Sequence, residues 1–287
     1  MNGYANPLHE FIEGHKIQFV IPVYQRNYDW LIDNCDQLFS DLVKLSRSNR
    51  CSHFFGSIVT SSADSSYNRL VIDGQQRLTT ISLLLLAGIK AVKAGAIEIS
   101  EESKIDEAYE VFLKAKFCNS ERKIKLVPIE NDRIAYDKIF NEEDSFDEDS
   151  KVTRNYRHFY DLLTRKPQAL SFDQLLDAIE RLQIISIELD SDDDAQLIFE
   201  SLNSTGLALT EADKIRNYLL MSLTSEEQHM CFKNYWQKIE QATENQPTKF
   251  LRDYLTIQQQ LQRPVRQSNI YYEWKKYMDG HERKEEL

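Results

Sequence analysis

Apolar and polar positions change period twice in the first hundred residues. Cys35, Leu38, Phe39, Leu42 and Leu45 recur at three- and four-residue steps, which predicts a helix with one buried stripe, and Asp33 stands where it can cap that helix. His53 to Thr60 has the β-branched and aromatic content of a strand. Ser61 to Asn68 is a polar turn, and Arg69 to Ile72 is the returning strand. This hairpin delivers the chain to Asp73-Gly74. A helix from about Gln76 to Ala94 follows, apolar on most sides through Leu83 to Leu86 and stopping at Gly95, so it is expected to be central and buried.

Beyond Gly95 helical periodicity dominates, over about Glu101 to Phe117, Asp132 to Phe140, Lys151 to Thr164 and Phe172 to Leu182. Lys123 to Val127 and Gln183 to Leu189 read as isolated strands. Four more helices are predicted near Asp194 to Leu202, Glu211 to Leu223, Glu226 to Ala242 and Thr248 to Leu261. Thr210-x-x-Asp213 and Ser225-x-x-Gln228 have the form of capping boxes, and Pro247 suits a helix start. The expected class is α+β, a small mixed sheet with helices over 1–95 followed by a mostly helical part over 96–287. The charged end after Glu273-Trp274-Lys275-Lys276-Tyr277, without turn or cap chemistry, suits an N-terminal fragment of a longer chain.

Charge narrows the partners. With 35 basic and 46 acidic residues the net charge is −11, so a polyanion is not attracted to the chain as a whole and any nucleic-acid contact must be local. Lys249, Arg252, Arg263 and Arg266, or Lys114, Lys116, Arg122 and Lys123, are the candidate patches, each equally readable as a solvated helix face. Two acidic runs, Asn141 to Asp149 and Asp190 to Asp194, read as solvated loops and helix starts, the first also as a mobile loop or soft boundary. Cys35, Cys51, Cys118 and Cys231 form no C-x-x-C pair, which fits reduced thiols in a cytoplasmic protein. The longest apolar stretch, Ile81 to Val92, is too short to span a bilayer.

The candidate chemistry lies at the strand-to-helix turn Asp73-Gly74-Gln75-Gln76-Arg77. Orphan N–H groups and the positive dipole end of the following helix favour an anion, Gly74 lets backbone approach, and Arg77 can fork two phosphate oxygens. A cation at a helix N-terminus opposes the dipole, so an anion must hold Arg77, either Asp73 or a ligand phosphate. A second Gln-Arg pair lies upstream in Pro22-Val23-Tyr24-Gln25-Arg26-Asn27-Tyr28-Asp29-Trp30, whose aromatics either stack a base or pack the fold. Asn203, Asp213, Lys214 and Asn217 surround a third feature, a helix junction that serves either as a ligand site or as scaffold. The six histidines show no metal-ligand spacing, and only His53 falls near the turn.

Together, Ile21-Pro22-x-Tyr24-Gln25-Arg26-x-Tyr28-x-Trp30, Phe54-Phe55-Gly56-Ser57-Ile58-Val59, Ile72-Asp73-Gly74-Gln75-Gln76-Arg77-Leu78-Thr79-Thr80 and Phe199-x-x-Leu202-Asn203-x-x-Gly206-x-x-Leu209-Thr210-x-x-Asp213 closely resemble one family. It is typified by the GmrS half of the GmrSD type IV restriction enzymes, and the resemblance runs from about Pro7 to Tyr277. It implies a fold related to ParB and sulfiredoxin and a module that binds and hydrolyses an NTP with Mg2+. Carried over by position, Tyr24, Gln25, Arg26, Gly74, Arg77, Asn203 and Lys214 would bind nucleotide. Asp73, Gln75, Gln76 and Arg77 would carry the chemistry: Gln75 or Gln76 orients water, and Asp73 either holds the metal or acts as base. The resemblance further implies DNA, modified DNA included, as the signal, and an HNH nuclease domain in cis or trans as the partner, with room for a homo-oligomer. Two rivals remain, a ParB-like nucleotide-gated DNA-binding protein without turnover and a sulfiredoxin-like phosphotransferase.

Overall fold

The computed structural model describes the chain outside residues 1, 49, 63–66, 119–120, 122, 144, 166–169, 191, 203–208, 245 and 279–287. Its residues fall into two units, Met1–Pro22 with Asn27–Asp193, and Val23–Arg26 with Asp194–Leu287. In the first, the elements in chain order are β1 (Asn2–Pro7), α1 (Leu8–Ile12), β2 (Gln18–Val20), α2 (Ile32–Arg47), β3 (His53–Ser62), β4 (Asn68–Asp73), α3 (Gln75–Lys93) and α4 (Ser103–Ala108), which continues as a π turn over Tyr109–Leu113. They are followed by β5 (Leu126–Val127), α5 (Glu130–Phe140), α6 (Lys151–Thr164), α7 (Phe172–Glu180) and β6 (Leu182–Leu189). The class is α+β.

The strands form one mixed sheet in the order β1-β6-β3-β4-β2-β5. The expected hairpin is its middle, with Val59 opposite Asp73 and Thr60 opposite Val71. The strand from Gln183 to Leu189 is not isolated. It lies between β1, antiparallel with Asn2 opposite Glu188, and β3, parallel with His53 opposite Leu182. The short β5 also belongs to the sheet, parallel to β2. The sheet was hidden because β1, β2 and β5 lack an alternating pattern long enough to read; their partners define them.

α3 is as central as its composition implies: fifteen of its nineteen residues are buried. It packs against α6 and α7, and α2 lies against the same pair. Asp33 does not cap α2 but sits in its first turn, where a carboxylate still suits the dipole. The cap is made by Asn34, whose Oδ1 accepts from the Leu31 N–H at 2.9 Å. Two residues of the first acidic segment make contacts within this unit: the Phe146 ring lies tilted against Tyr156 with centroids 5.9 Å apart, and Glu148 accepts from Arg157 at 2.6 Å.

The second unit contains α8 (Ala195–Leu202), α9 (Glu211–Leu220), α10 (Ser225–Cys231), α11 (Gln237–Ala242), α12 (Pro247–Gln258) and α13 (Ile270–Met278), with a π turn over Phe232–Trp236. Its core gathers Ile215, Leu219, Trp236, Leu255 and Trp274, together with Val23 and Tyr24 from early in the chain. Pro247 does open α12, and the Thr210 and Asp213 box caps α9. The box on α10 is Thr224 with Glu227, one residue before the pair expected from the sequence. Asp194 accepts from the Leu197 N–H at 3.0 Å, so the second acidic run starts a helix, as its charge implies. Among the described residues no helix is long and apolar enough to cross a membrane.

One buried cation ties three elements of the first unit together. The Lys125 side chain, 1% exposed, donates to the main-chain oxygens of Ile12 at 3.1 Å, Glu110 at 3.4 Å and Val111 at 2.5 Å. It thus satisfies carbonyls at the end of α1 and in the π turn that the helices themselves leave open. Burial lowers its pKa to about 8. Replacing Lys125 by Met is expected to cost about 3 kcal/mol at pH 7, because three buried or part-buried acceptors lose a donor. The unfolded chain keeps this proton up to the ordinary lysine value. The stabilisation of the parent relative to Lys125→Met should therefore grow as pH rises from about 8 towards 10, as measured by denaturant unfolding.

Candidate functional site

Asp73 ends β4, and the chain turns into α3 through Gly74 at a φ of +95°, the left-handed region in which glycine carries no steric penalty. A Cβ here would lie 2.9 Å from Ile58 Cγ1 of β3, so glycine also lets the helix start against the sheet. Gly74 accepts the first helical bond from the Leu78 N–H at 3.1 Å, and among the described residues no side chain caps the helix. The first-turn N–H groups thus remain uncapped at the positive end of the dipole.

Arg77 resolves the electrostatic conflict expected of it only in part. Its Nη1 donates to the Ser57 carbonyl at 3.1 Å and lies 3.8 Å from Asp73 Oδ2, an ion-pair distance too long for a hydrogen bond. Asp73 is therefore a counter-ion, and among the described residues one of the five guanidinium donors is engaged. Gly56 makes room for this arrangement. It has a φ of +115° at an irregularity in β3, and a Cβ on it would stand 2.6 to 2.9 Å from the Arg77 guanidinium. A Gly56→Ala variant is expected to displace the Arg77 fork and lose about 1 to 3 kcal/mol, measured as a lowered melting temperature and a moved side chain in the variant's structure.

The two glutamines diverge. Gln76 is spent on the chain: its Oε1 accepts from the N–H groups of Asp29 at 2.8 Å and Trp30 at 3.3 Å, and its Nε2 donates to the Asn27 carbonyl at 3.2 Å. The segment directly after Arg26 is thereby clamped to the start of α3. The side-chain amide of Gln75, a residue 7% exposed, makes no hydrogen bond among the described residues.

The clamped loop has three more anchors. Asp132 of α5 accepts from the Tyr28 N–H at 2.6 Å, and Asn155 of α6 donates to the Trp30 carbonyl at 2.9 Å. The Tyr28 hydroxyl, whose pKa burial drives far up, bridges Thr80 at 2.7 Å and Asn155 at 3.0 Å. Tyr28 and Trp30 pack into the first unit's core, so these two aromatics serve the fold. Burial pushes the Asp132 carboxyl to about 6, with Asp29 adding to the shift and the Tyr28 N–H and Lys151 opposing it. A raised carboxyl value means that the folded chain holds this proton more tightly. Its contribution to stability therefore falls as pH rises from about 4 to 6. Asp132→Asn keeps an acceptor for Tyr28, so unfolding measurements should show the variant gaining on the parent across that window and level with respect to it above.

In the second unit Tyr24 is 2% exposed, packed beside Ile215 and Trp236, and Gln25 is also buried. The Tyr24 carbonyl accepts from Arg216 Nε at 2.9 Å, while Arg216 Nη1 and Nη2 reach Glu240 and Asp213, each at 2.8 Å. Arg216 thus holds the strap that carries Arg26, itself half-buried. Asp213 serves both this network and the α9 cap, and Lys214 pairs with Glu211 at 2.7 Å. Asn217 is buried, its Oδ1 without a hydrogen-bond partner. Asn203 lies outside the described residues. His53 sits 4.0 Å from Asp41. Of the two basic patches, Arg252 pairs with Asp253 at 2.7 Å, Lys116 pairs with Glu110, Lys114 lies over the Tyr109 ring, and Arg122 lies outside the described residues.

Sequence reading passed over Asp132, Asn155, Lys151 and Arg216. Only Arg216 left a trace, three residues after Asp213 on the same helical face. The family model for the N-terminal domain of GmrSD restriction endonucleases matches residues 8–220. No curated protein matches the chain.

Proposed function

The chain belongs to the family of GmrSD restriction endonuclease N-terminal domains, and we propose that it is the NTP-binding and NTP-hydrolysing module of such a system, governing an HNH nuclease domain in cis or trans in response to modified DNA. One observation carries this reading: the uncapped first turn of α3, entered through Gly74, with a guanidinium fork that spends one donor on the chain.

The residues divide the work as follows. First-turn N–H groups and Arg77 take the phosphates, which neutralises the charge of a nucleotide tail. Gln75, whose amide is unengaged, orients the water that attacks the γ-phosphorus as the bond to the β-phosphate bridge breaks, giving NDP and inorganic phosphate. Gln76 acts through the loop it holds. Asp73 would hold Mg2+ together with phosphate oxygens, and the ion would neutralise phosphate charge. Tyr24, Gln25, Arg26 and Lys214, all of the second unit, are assigned to nucleotide recognition by the family resemblance of their motifs, Tyr24 through its buried support of the strap. DNA sensing falls to a confined basic patch, since the net charge of −11 disfavours a general clamp.

A nucleotide-gated DNA-binding protein without turnover is favoured by one observation, the commitment of Gln76 to the loop, which leaves fewer groups for chemistry. Phosphate release from each NTP with Mg2+, with and without modified DNA, separates the readings. Turnover supports hydrolysis, nucleotide binding without phosphate release sinks it, and label passing from the γ-phosphate to an acceptor marks a phosphotransferase. Arg77→Ala is expected to weaken nucleotide binding by about tenfold or more; equal affinity in the variant would remove the phosphate clamp.

A further inference from the structure

α6 runs beside α3 in the same direction, and both helices begin at the clamped loop. Gln76 and, one turn on, Thr80 of α3 meet the loop at Asp29 and Tyr28. Lys151 and, one turn on, Asn155 of α6 meet the same two residues, Lys151 at the Asp29 carboxylate and Asn155 at the Tyr28 hydroxyl. The contacts are in step, so two positive dipole ends converge on one loop. Lys151 is the first residue of α6, a position where a cation opposes the dipole, and Ser150 caps that helix by accepting from the Val152 N–H at 3.2 Å.

A cation placed against its own helix dipole needs an anion, and in the chain that anion is Asp29. The pair is in direct contact but open to solvent: the two side chains are 40% and 43% exposed, and such an ion pair is worth about 0 to 1 kcal/mol. A multiply charged phosphate offers more. Asp29 is bonded through its N–H to Gln76, so its partner ammonium is held within one side-chain length of the first turn of α3.

We propose that Lys151 is the second cation of the phosphate site, leaving Asp29 to meet the terminal phosphate of a nucleoside triphosphate. The assignment rests on the reading of the α3 turn as a nucleotide site. Asp29 is its resting counter-ion and holds the ammonium in place until the nucleotide arrives. Because the two cations approach from different helices, Arg77 serves any phosphate tail and Lys151 discriminates by tail length.

The test titrates the full chain with the β,γ-imido analogues of ATP and GTP and with ADP and GDP, in Mg2+, for the parent, Lys151→Gln, Lys151→Arg, Asp29→Asn and Arg77→Ala. Lys151→Gln is expected to weaken triphosphate binding by about tenfold and diphosphate binding by less than about threefold, with Lys151→Arg within about threefold of the parent for both. Triphosphate affinity unchanged in Lys151→Gln overturns the proposal, as does an equal loss for di- and triphosphate. Should Lys151→Gln fail to fold, Asp29→Asn decides: freeing the ammonium must preserve or raise triphosphate affinity, and a loss overturns the assignment. If Arg77→Ala abolishes binding while Lys151→Gln does not alter it, Lys151 alone is misassigned. If the parent binds none of the nucleotides, the reading of the turn fails and this assignment with it.

Discussion

The Gln76 side chain is the interaction on which the site depends. One amide, at the second position of α3, closes three main-chain groups of the segment Asn27–Trp30. An extended loop of this kind has no ladder of its own, and buried main-chain groups without partners would cost about 1 to 3 kcal/mol each. With these groups satisfied, the loop can present its other bonds: Tyr28 to Asp132, Thr80 and Asn155, and Trp30 to Asn155. The grip begins at the first residue of the segment, whose carbonyl accepts from the Gln76 amide.

The sequence showed the turn itself well. An apolar strand, Asp-Gly and a long apolar helix form a local pattern, and local patterns are what periodicity reports. The roles of Gln75 and Gln76 were not legible, because two adjacent glutamines have the same chemistry and differ only in what the fold brings to them. Gly56 read only as part of the strand from His53 to Thr60, and its reason is the guanidinium of a residue 21 positions later. Asp132, Lys151 and Asn155 were silent for the same cause: each acts across more than a hundred residues of sequence on the loop at 28–30.

Arg216 shows the same division in the second unit. Its place on α9 follows from the capped helix that the sequence announces at Thr210-x-x-Asp213. Its function follows from the strap at Tyr24, which no local pattern connects to it. A guanidinium meeting two carboxylates and a carbonyl, 5.9 Å from the Trp236 ring, is a planar, directional joint that Lys could not reproduce. Two aromatic positions of one motif therefore end in different cores, Tyr24 with Trp236 and Tyr28 with the helices of the sheet unit.

The place of β6 in the sheet bears on how the chain acquires its fold. β6 is made last among the strands, yet it stands between β1 and β3, pairing with residues 2–7 on one side and 53–61 on the other. Until about residue 189 has been synthesised, the growing chain carries the β3–β4 hairpin with an open edge and an N-terminal segment without a partner. Closing loops of that span is slow, and an unpaired edge invites pairing with other chains in the interval. Final closure of the sheet is a late, long-range event that a shortened chain ending before Leu189 would never reach.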